Sequence, residues 1–181
     1  NMKNSLATII QDPISDADIH QYLPRAKIFT YNQLSQYTSL ADLLPSSTDF
    51  VVLLYQSSLN RGHWVCVTKD EGTVTYFDSY GKPVDHALTY ASKTAREELG
   101  ETHKYLSQLF NRAPEEVVYN PINYQSEDPE VNTCGRHCVF FILNNIKRGL
   151  TLSQYYQLMK NLKKKMGVGY DAIVSTYIPI V

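Results

Sequence analysis

Residues 132–143 read NTCGRHCVFFIL. A polar pair, a cysteine and a glycine lead directly into a run of large apolar residues, which predicts a loop that turns into a buried helix. Cys134 then lies in the first turn of this helix, where unpaired backbone N–H groups and the helix dipole favour a thiolate over a thiol. Because the thiolate is the nucleophilic form, Cys134 is a candidate catalytic residue. The alternative is a small, buried, hydrophobic cysteine.

Length and composition limit the classes of protein to which the chain can belong. At 181 residues it is long enough to bury a core of its own, and we expect one domain over residues 1–181. A net charge of -1 creates no strong field for nucleic acid or an anionic membrane. The three cysteines form no paired framework, which is typical of free thiols in a reducing compartment. With neither an apolar run of about 20 residues nor a signal-peptide pattern, a soluble intracellular protein without membrane contact is expected.

Four strands are predicted upstream of Cys134. They are the apolar run 50–55, the β-branched run 64–68, the run 73–77 and a later run at 116–119. Together with helical patterns around them, these strands predict an α+β fold. In it a central, mostly antiparallel sheet is flanked by helices, and the candidate nucleophile begins a buried helix.

Several helices are predicted from caps and apolar stripes. They span 85–98, 102–112 and 151–166, with a short one between Ser15 and Pro24. The apolar tail 170–181 is expected to pack as a strand or an extended segment.

His63 and Asp78 form a candidate catalytic arrangement with Cys134. A cysteine nucleophile needs a base, a group that orients the base, and donors for the oxyanion. His63 stands at the start of one predicted strand and Asp78 directly follows the next, so a hairpin of these strands brings the two together. Gln125, nine positions before Cys134, could turn an amide N–H toward the oxyanion beside the Cys134 backbone N–H. Taken singly, each of these three residues has an ordinary alternative as a turn, loop or surface residue.

Other groupings compete with this arrangement. His137 lies three residues beyond Cys134, but a base so early in the same helix reaches poorly across a substrate. Cys138, one turn below Cys134, is either a core residue or a redox partner. A zinc site from Cys66, Cys134, His137 and Cys138 lacks the usual paired Cys-x2-Cys pattern, so neither a metal nor another cofactor is expected.

The order of the motifs resembles that of a known family. The motifs are His63-Trp64, the FDSYG run at 77–81, Tyr124-Gln125, and Thr133-Cys134-Gly135 before an apolar helix. Over roughly residues 50–141 this order is similar to the adenovirus-type and SUMO-protease-type cysteine peptidases. The Cys-Gly-x-x-Cys run and the small size are most similar to the maturation proteases of adenovirus, other large DNA viruses and virophages. The resemblance implies a papain-like fold with histidine first and cysteine last along the chain.

The resemblance also implies roles, position by position. It implies Cys134 as nucleophile, His63 as base, Asp78 as the group that orients His63, and Gln125 with the Cys134 N–H as oxyanion hole. Trp64 and Gly135 would bind substrate, and Trp64 would narrow the groove so that glycine is favoured beside the scissile bond. The adenovirus enzyme has glutamate where this chain has Asp78.

The function implied by the resemblance is that of a viral maturation protease. Such an enzyme would trim capsid precursors after small residues as a monomer, in the host cytoplasm or virus factory, and would be packaged in the virion. An activating peptide and nucleic acid are further possible partners. The basic cluster of Lys160 with residues 163–165 is typical of a solvated helix face, or else of a contact with nucleic acid or an acidic partner. Two other functions stay open: an isopeptidase that removes a ubiquitin-like modifier, and a catalytically silent binding module.

Overall fold

The fold is known from a computed structural model, which describes residues 10–59 and 61–180. The strands are β1 (Lys27–Thr30), β2 (Thr48–Ser58), β3 (Arg61–Asp70), β4 (Thr73–Phe77) and β5 (Glu116–Tyr119). The helices are α1 (Asp16–Tyr22), α2 (Leu40–Leu43), α3 (Lys93–Leu99), α4 (Tyr105–Arg112), α5 (Cys134–Ile142), α6 (Leu152–Met166) and α7 (Tyr170–Tyr177). Short 3-10 helices span Tyr31–Gln36 and His86–Tyr90, and a π-helical turn, Leu143–Lys147, continues α5.

The five strands form one sheet in the order of the chain. Strands β2, β3 and β4 pair antiparallel in the middle, while β1 and β5 add to the two edges in parallel. The expected α+β fold with a central sheet flanked by helices is therefore confirmed, and the sheet is mixed because its two edge strands are parallel. In the β3–β4 hairpin Cys66 lies opposite Phe77. This register puts the start of β3 and the residue after β4 at the same end of the sheet.

Apolar layers cover both faces of the sheet. Side chains alternate along β2, so that Val51 and Leu53 face the layer with α2 and α4, while Val52 faces the layer with α1, α5, α6 and α7. Phe77 of β4 stacks on Phe141 of α5 with 4.3 Å between ring centroids. All residues of α5 are buried. The helix that carries Cys134 is thus held rigidly against the central strands.

Arg136 fastens α5 to the segments that precede α1 and follow α7. Its side chain is fully buried, and its Nε donates to the Ile178 carbonyl at 3.2 Å while Nη1 donates to the Asp12 carbonyl at 2.5 Å. A buried guanidinium is stable only when its N–H groups are hydrogen-bonded. These two carbonyls therefore keep both segments beside the start of α5.

The predicted helix 85–98 is wrong before Lys93 and confirmed from Lys93 onward. The chain forms a 3-10 helix after Asp85, and α3 begins only beyond it. The side chain of Asp85 does not cap the 3-10 helix that follows it. Asp85 adopts a left-handed conformation with φ 65°, and its buried carboxylate accepts hydrogen bonds from the hydroxyls of Tyr31 and Tyr55 at 2.7 and 2.9 Å.

The predictions for the later helices are corrected as well. Helix α4 starts at Tyr105, after the expected cap at Thr102. The tail is not a strand or extended segment, because most of it is α7, whose residues Ile173 and Val174 are buried in the core. None of the helices within the described ranges is long and apolar enough to cross a lipid bilayer. Residues 1–9, which bear on the signal-peptide expectation, and residue 181 lie outside the described residues.

Candidate active site

His63 and Asp78 lie together at the end of the β3–β4 hairpin. His63 Nε2 donates to Asp78 Oδ1 at 2.8 Å, and both side chains are buried. The backbone N–H of Tyr80 donates to the same carboxylate oxygen at 2.8 Å, so the turn after β4 holds the carboxylate in place. This contact confirms the predicted proximity of the two residues. It follows from the hairpin, which is a local feature of the sequence.

Cys134 begins α5 and faces His63. Its sulfur accepts hydrogen bonds from the backbone N–H groups of Trp64, at 3.4 Å, and of Gly135, and it is hydrogen-bonded to His63. Since Asp78 occupies Nε2 of the imidazole, Nδ1 is the atom left for the sulfur.

The charges of Cys134 and His63 support each other. Burial alone raises the pKa of the Cys134 thiol, but the hydrogen bond and charge of His63 and the two backbone N–H groups bring that pKa below its ordinary value. Burial alone lowers the pKa of His63, but the hydrogen bonds to Asp78 and Cys134 outweigh it and raise the pKa to about 10. Each group therefore favours the charged form of the other, the thiolate of Cys134 and the imidazolium of His63.

Gln125 reaches the same site from the irregular segment 120–133. Its Oε1 accepts from the Ser79 hydroxyl at 2.7 Å, which determines the direction of the amide group. Its Nε2 donates to the Val131 carbonyl at 3.3 Å. Because a primary amide has two N–H bonds, the second one is left for the cleft that Gln125 lines together with Cys134.

Two clefts meet at Cys134. The first has a volume of about 310 Å³ and is lined by His63 and Gln125 among other residues. The second has a volume of about 650 Å³ and includes Leu54 and Trp64 in its lining. Since Cys134 belongs to both, a groove runs past the sulfur on either side.

Trp64 and Gly135 pack on the segment before α1. The Trp64 Nε1 donates to the Ile14 carbonyl at 3.2 Å. Gly135 is buried, and a Cβ at its position would overlap Ile14 Cγ2 and lie 3.0 Å from Trp64 Cδ1. Glycine is therefore needed here for close packing beside Cys134. A contact of Trp64 or Gly135 with substrate stays a prediction.

Two tyrosines cover His63, and sequence reasoning assigns a role to neither. The ring of Tyr80 stacks on the imidazole with 4.7 Å between centroids, and Tyr90 meets it edge-on at 5.9 Å. An aromatic face attracts an imidazolium and keeps water from it, which favours the charged pair. The position of Tyr80, two residues after Asp78, could have predicted that its ring lies near His63. Tyr90 belongs to the segment wrongly predicted as a helix.

The competing residues have other partners. His137 is fully buried, and its Nε2 contacts Asp171 Oδ1 at 2.9 Å. Cys138 faces Cys66 in the core, and burial together with that neighbour raises the pKa of the Cys138 thiol well above its ordinary value. Among the residues that the structure describes, no group of three or more His, Cys, Asp or Glu side chains is placed to hold a metal ion.

Comparisons with known proteins yield one sequence relative and several structures. No protein-family profile matches the chain. The uncharacterised protein V9 of Sputnik virophage is 33% identical over 132 residues, which cover 72% of this chain and 75% of V9. The crystal structure of the ASFV pS273R protease aligns with a TM-score of 0.48 at 13% identity over 79% of this chain, and the chain spans 60% of the length of that protease. The Chlamydia trachomatis effector protein ChlaDUB1 aligns with a TM-score of 0.39 at 15% identity, covering 97% of this chain and 91% of ChlaDUB1.

Proposed function

The chain belongs to the family of the Sputnik virophage protein V9, and on that premise we propose that it is a cysteine endopeptidase with Cys134 as its nucleophile. The observation that carries the proposal is the hydrogen-bonded series Asp78, His63 and Cys134 at an open groove. A thiolate that is stabilised by a neighbouring imidazolium can attack a carbonyl directly. A cysteine that only fills the core needs neither a histidine nor a carboxylate beside it.

In the acylation step, the Cys134 sulfur attacks the carbonyl carbon of the substrate, and the carbonyl electrons move onto oxygen. The oxyanion accepts hydrogen bonds from the Gln125 amide and from the Cys134 backbone N–H, which has no intrahelical acceptor at the first residue of α5. His63 then gives its proton to the leaving nitrogen. The C–N bond breaks, and a thioester to Cys134 remains.

In the deacylation step, water replaces the amine. Neutral His63 takes a proton from the water as its oxygen attacks the thioester carbon, and the second tetrahedral intermediate expels the Cys134 thiolate. The product leaves with a new carboxyl group, and the thiolate–imidazolium pair is restored. Asp78 holds the ring of His63 in orientation and stabilises its positive charge throughout.

The proposed substrates are extended segments of viral protein precursors, cut after small residues. A groove on both sides of Cys134 suits a chain that continues past the cleavage site in both directions. Trp64 forms part of the groove beside the nucleophile, and a large aromatic side chain there favours glycine next to the scissile bond. The virophage relative supports a viral role. Capsid precursors are the substrates that we propose, for an enzyme that acts as a single-domain monomer.

The proposal is tested with a diverse library of unstructured peptides. Wild type and a Cys138→Ala control should cut after small residues, and Cys134→Ala should not cut at all. A folded ubiquitin-like probe is measured in parallel, and a preference for it of more than about 10-fold in kcat/KM would assign the isopeptidase function instead. If wild type cuts neither substrate and Cys134 reacts with iodoacetamide at pH 6 no faster than Cys66, the chain is a binding module and the proposal is wrong.

A further inference from the structure

Asp171 contacts the residues next to both proposed oxyanion donors. It lies in the first turn of α7. Its Oδ1 accepts hydrogen bonds from the Thr133 hydroxyl at 2.6 Å and from His137 Nε2 at 2.9 Å. Its Oδ2 accepts from the backbone N–H of Ser126 at 2.9 Å. One carboxylate thus joins the start of α5 to the irregular segment 120–133.

Two of these contacts are adjacent to a proposed oxyanion donor. Thr133 immediately precedes Cys134, and Ser126 immediately follows Gln125. We infer that Asp171 is a positioning residue, which sets the distance between the Gln125 amide and the Cys134 backbone N–H. The inference rests on the proposed function, because this distance matters only if an oxyanion forms between the two donors. Misplacing a catalytic group by about 1 Å can cost about 100-fold in rate.

A carboxylate suits this position better than any other side chain. Burial raises the pKa of Asp171, but the hydrogen bonds of His137, Thr133 and Ser126 bring that pKa below its ordinary value. The first turn of a helix also favours a negative charge. An amide has only one acceptor oxygen, so asparagine would turn an NH₂ group toward either Ser126 or the α5 donors. Asparagine can therefore hold one of the two segments but not both.

Asp171 and Ser79 hold the segment of Gln125 against different parts of the fold. Ser79, in the turn after β4, accepts the backbone N–H of Gln125 at 3.0 Å and donates its hydroxyl to the side-chain oxygen. These bonds tie Gln125 to the β3–β4 hairpin, and hence to His63. The bond from Ser126 to Asp171 ties the same segment to the helix of the nucleophile. Asp171 therefore gives the segment of Gln125 a second anchor, on the side of the helix that carries Cys134.

The test compares Asp171→Asn with Asp42→Asn, a matched change of a carboxylate on α2. Asp171→Asn should lower kcat on the best peptide by about 10- to 100-fold, with KM within about 3-fold of wild type. The rate at which iodoacetamide modifies Cys134 at pH 6 should stay within about 3-fold, because the partners of the thiolate are untouched. Asp42→Asn should change none of these values. A merely structural role of Asp171 would reduce alkylation and kcat together.

A double-mutant cycle with Gln125 makes the test specific. Gln125→Ala alone should lower kcat by about 10- to 1000-fold. If Asp171 acts through the position of this donor, Asp171→Asn should lower kcat by less than a further 3-fold or so in the Gln125→Ala background. An undiminished loss in that background, or an unchanged kcat in the single variant, overturns the inference. If Asp171→Asn does not fold, Thr133→Val can replace it, because this variant removes one of the three donors to Asp171. It should change kcat in the same direction but by a smaller factor.

Hydrogen exchange separates failure of this inference from failure of the proposed function. If wild type cleaves nothing, the proposed function is wrong, but Asp171 can still be shown to hold the segment. Amides of residues 124–133 should exchange faster in Asp171→Asn than in wild type and Asp42→Asn. Equal exchange in all three proteins overturns the inference without any cleavage assay.

Discussion

Replacing Gly135 by alanine tests how closely the segment before α1 packs on helix α5. The added Cβ would overlap Ile14 Cγ2 and lie 3.0 Å from Trp64 Cδ1, whereas carbon atoms pack at about 3.5–4.0 Å. Inserting a methyl group into so tight a site costs about 1–3 kcal/mol, and the overlap places this variant near the upper end. Alanine regains up to about 1 kcal/mol through its helix propensity. We therefore expect Gly135→Ala to lower the free energy of unfolding by about 2 kcal/mol.

The same geometry predicts a specific rescue. Ile14→Ala removes Cγ2, after which the nearest Ile14 atom, its Cβ, is 3.4 Å from the new methyl carbon. Ile14→Ala alone should cost about 2–5 kcal/mol because Ile14 is buried. Gly135→Ala should then cost close to nothing in the Ile14→Ala background, which corresponds to a coupling of about 2 kcal/mol.

The assay is urea unfolding of the four proteins, followed by the emission of Trp64, the one tryptophan of the chain. Gly169→Ala is the control, since nothing lies within 4 Å of a Cβ at that glycine and its φ is -74°. Its cost should stay below about 1 kcal/mol, as for glycine replaced by alanine at a helix cap. The packing described here would be refuted if the double variant lost the sum of the two single losses in unfolding free energy, of Ile14→Ala and Gly135→Ala, to within about 0.5 kcal/mol.

Two further predictions concern pH. The rate at which iodoacetamide modifies Cys134 should rise with pH at values below the ordinary thiol pKa of 9.0. In His63→Ala this rise should move above 9.0, because His63 no longer offsets the increase in the thiol pKa that burial causes. A rise at 9.0 in both proteins would contradict the ion pair. Cleavage should fall near pH 10, where His63 loses the proton that it must give to the leaving nitrogen. Asp78→Asn should move this fall about 1–2 units lower, since a hydrogen bond to a charged group contributes about 1.5–3 kcal/mol and one pKa unit is 1.36 kcal/mol. An unmoved alkaline limb would show that Asp78 does not stabilise the imidazolium.

The features predicted correctly from the sequence are local ones. Helix α5 follows from a polar start and an apolar run, and β4 from five β-favouring residues after a turn. The contact of His63 with Asp78 follows from the hairpin, since only the register of two neighbouring strands is needed to place them. The sequence also shows a glycine directly after Cys134, but it does not show the close packing that requires glycine there.

The predictions that failed depend on distant partners. Asp85 looks like the cap of the helix that follows it, but its buried carboxylate is bound by the hydroxyls of Tyr31 and Tyr55, more than 25 positions upstream. The tail 170–181 has an apolar pattern that is ambiguous in a short segment, and contacts with α5 and α6 decide for a helix. Gly169 followed by an acidic residue in the first turn is a signal that could have predicted the start of α7.

By itself, the sequence determined that Cys134 begins a helix and that His63 lies beside Asp78, because helix starts and hairpins depend on residues close together along the chain. Only the tertiary structure decided how Gln125 is held and that Asp171 contacts the residue after it. Asp171 is 46 positions from Gln125 and 37 from Cys134, and its three donors come from two segments. No local pattern encodes such a contact, since it exists only when α7 packs against the start of α5 and buries the carboxylate between them.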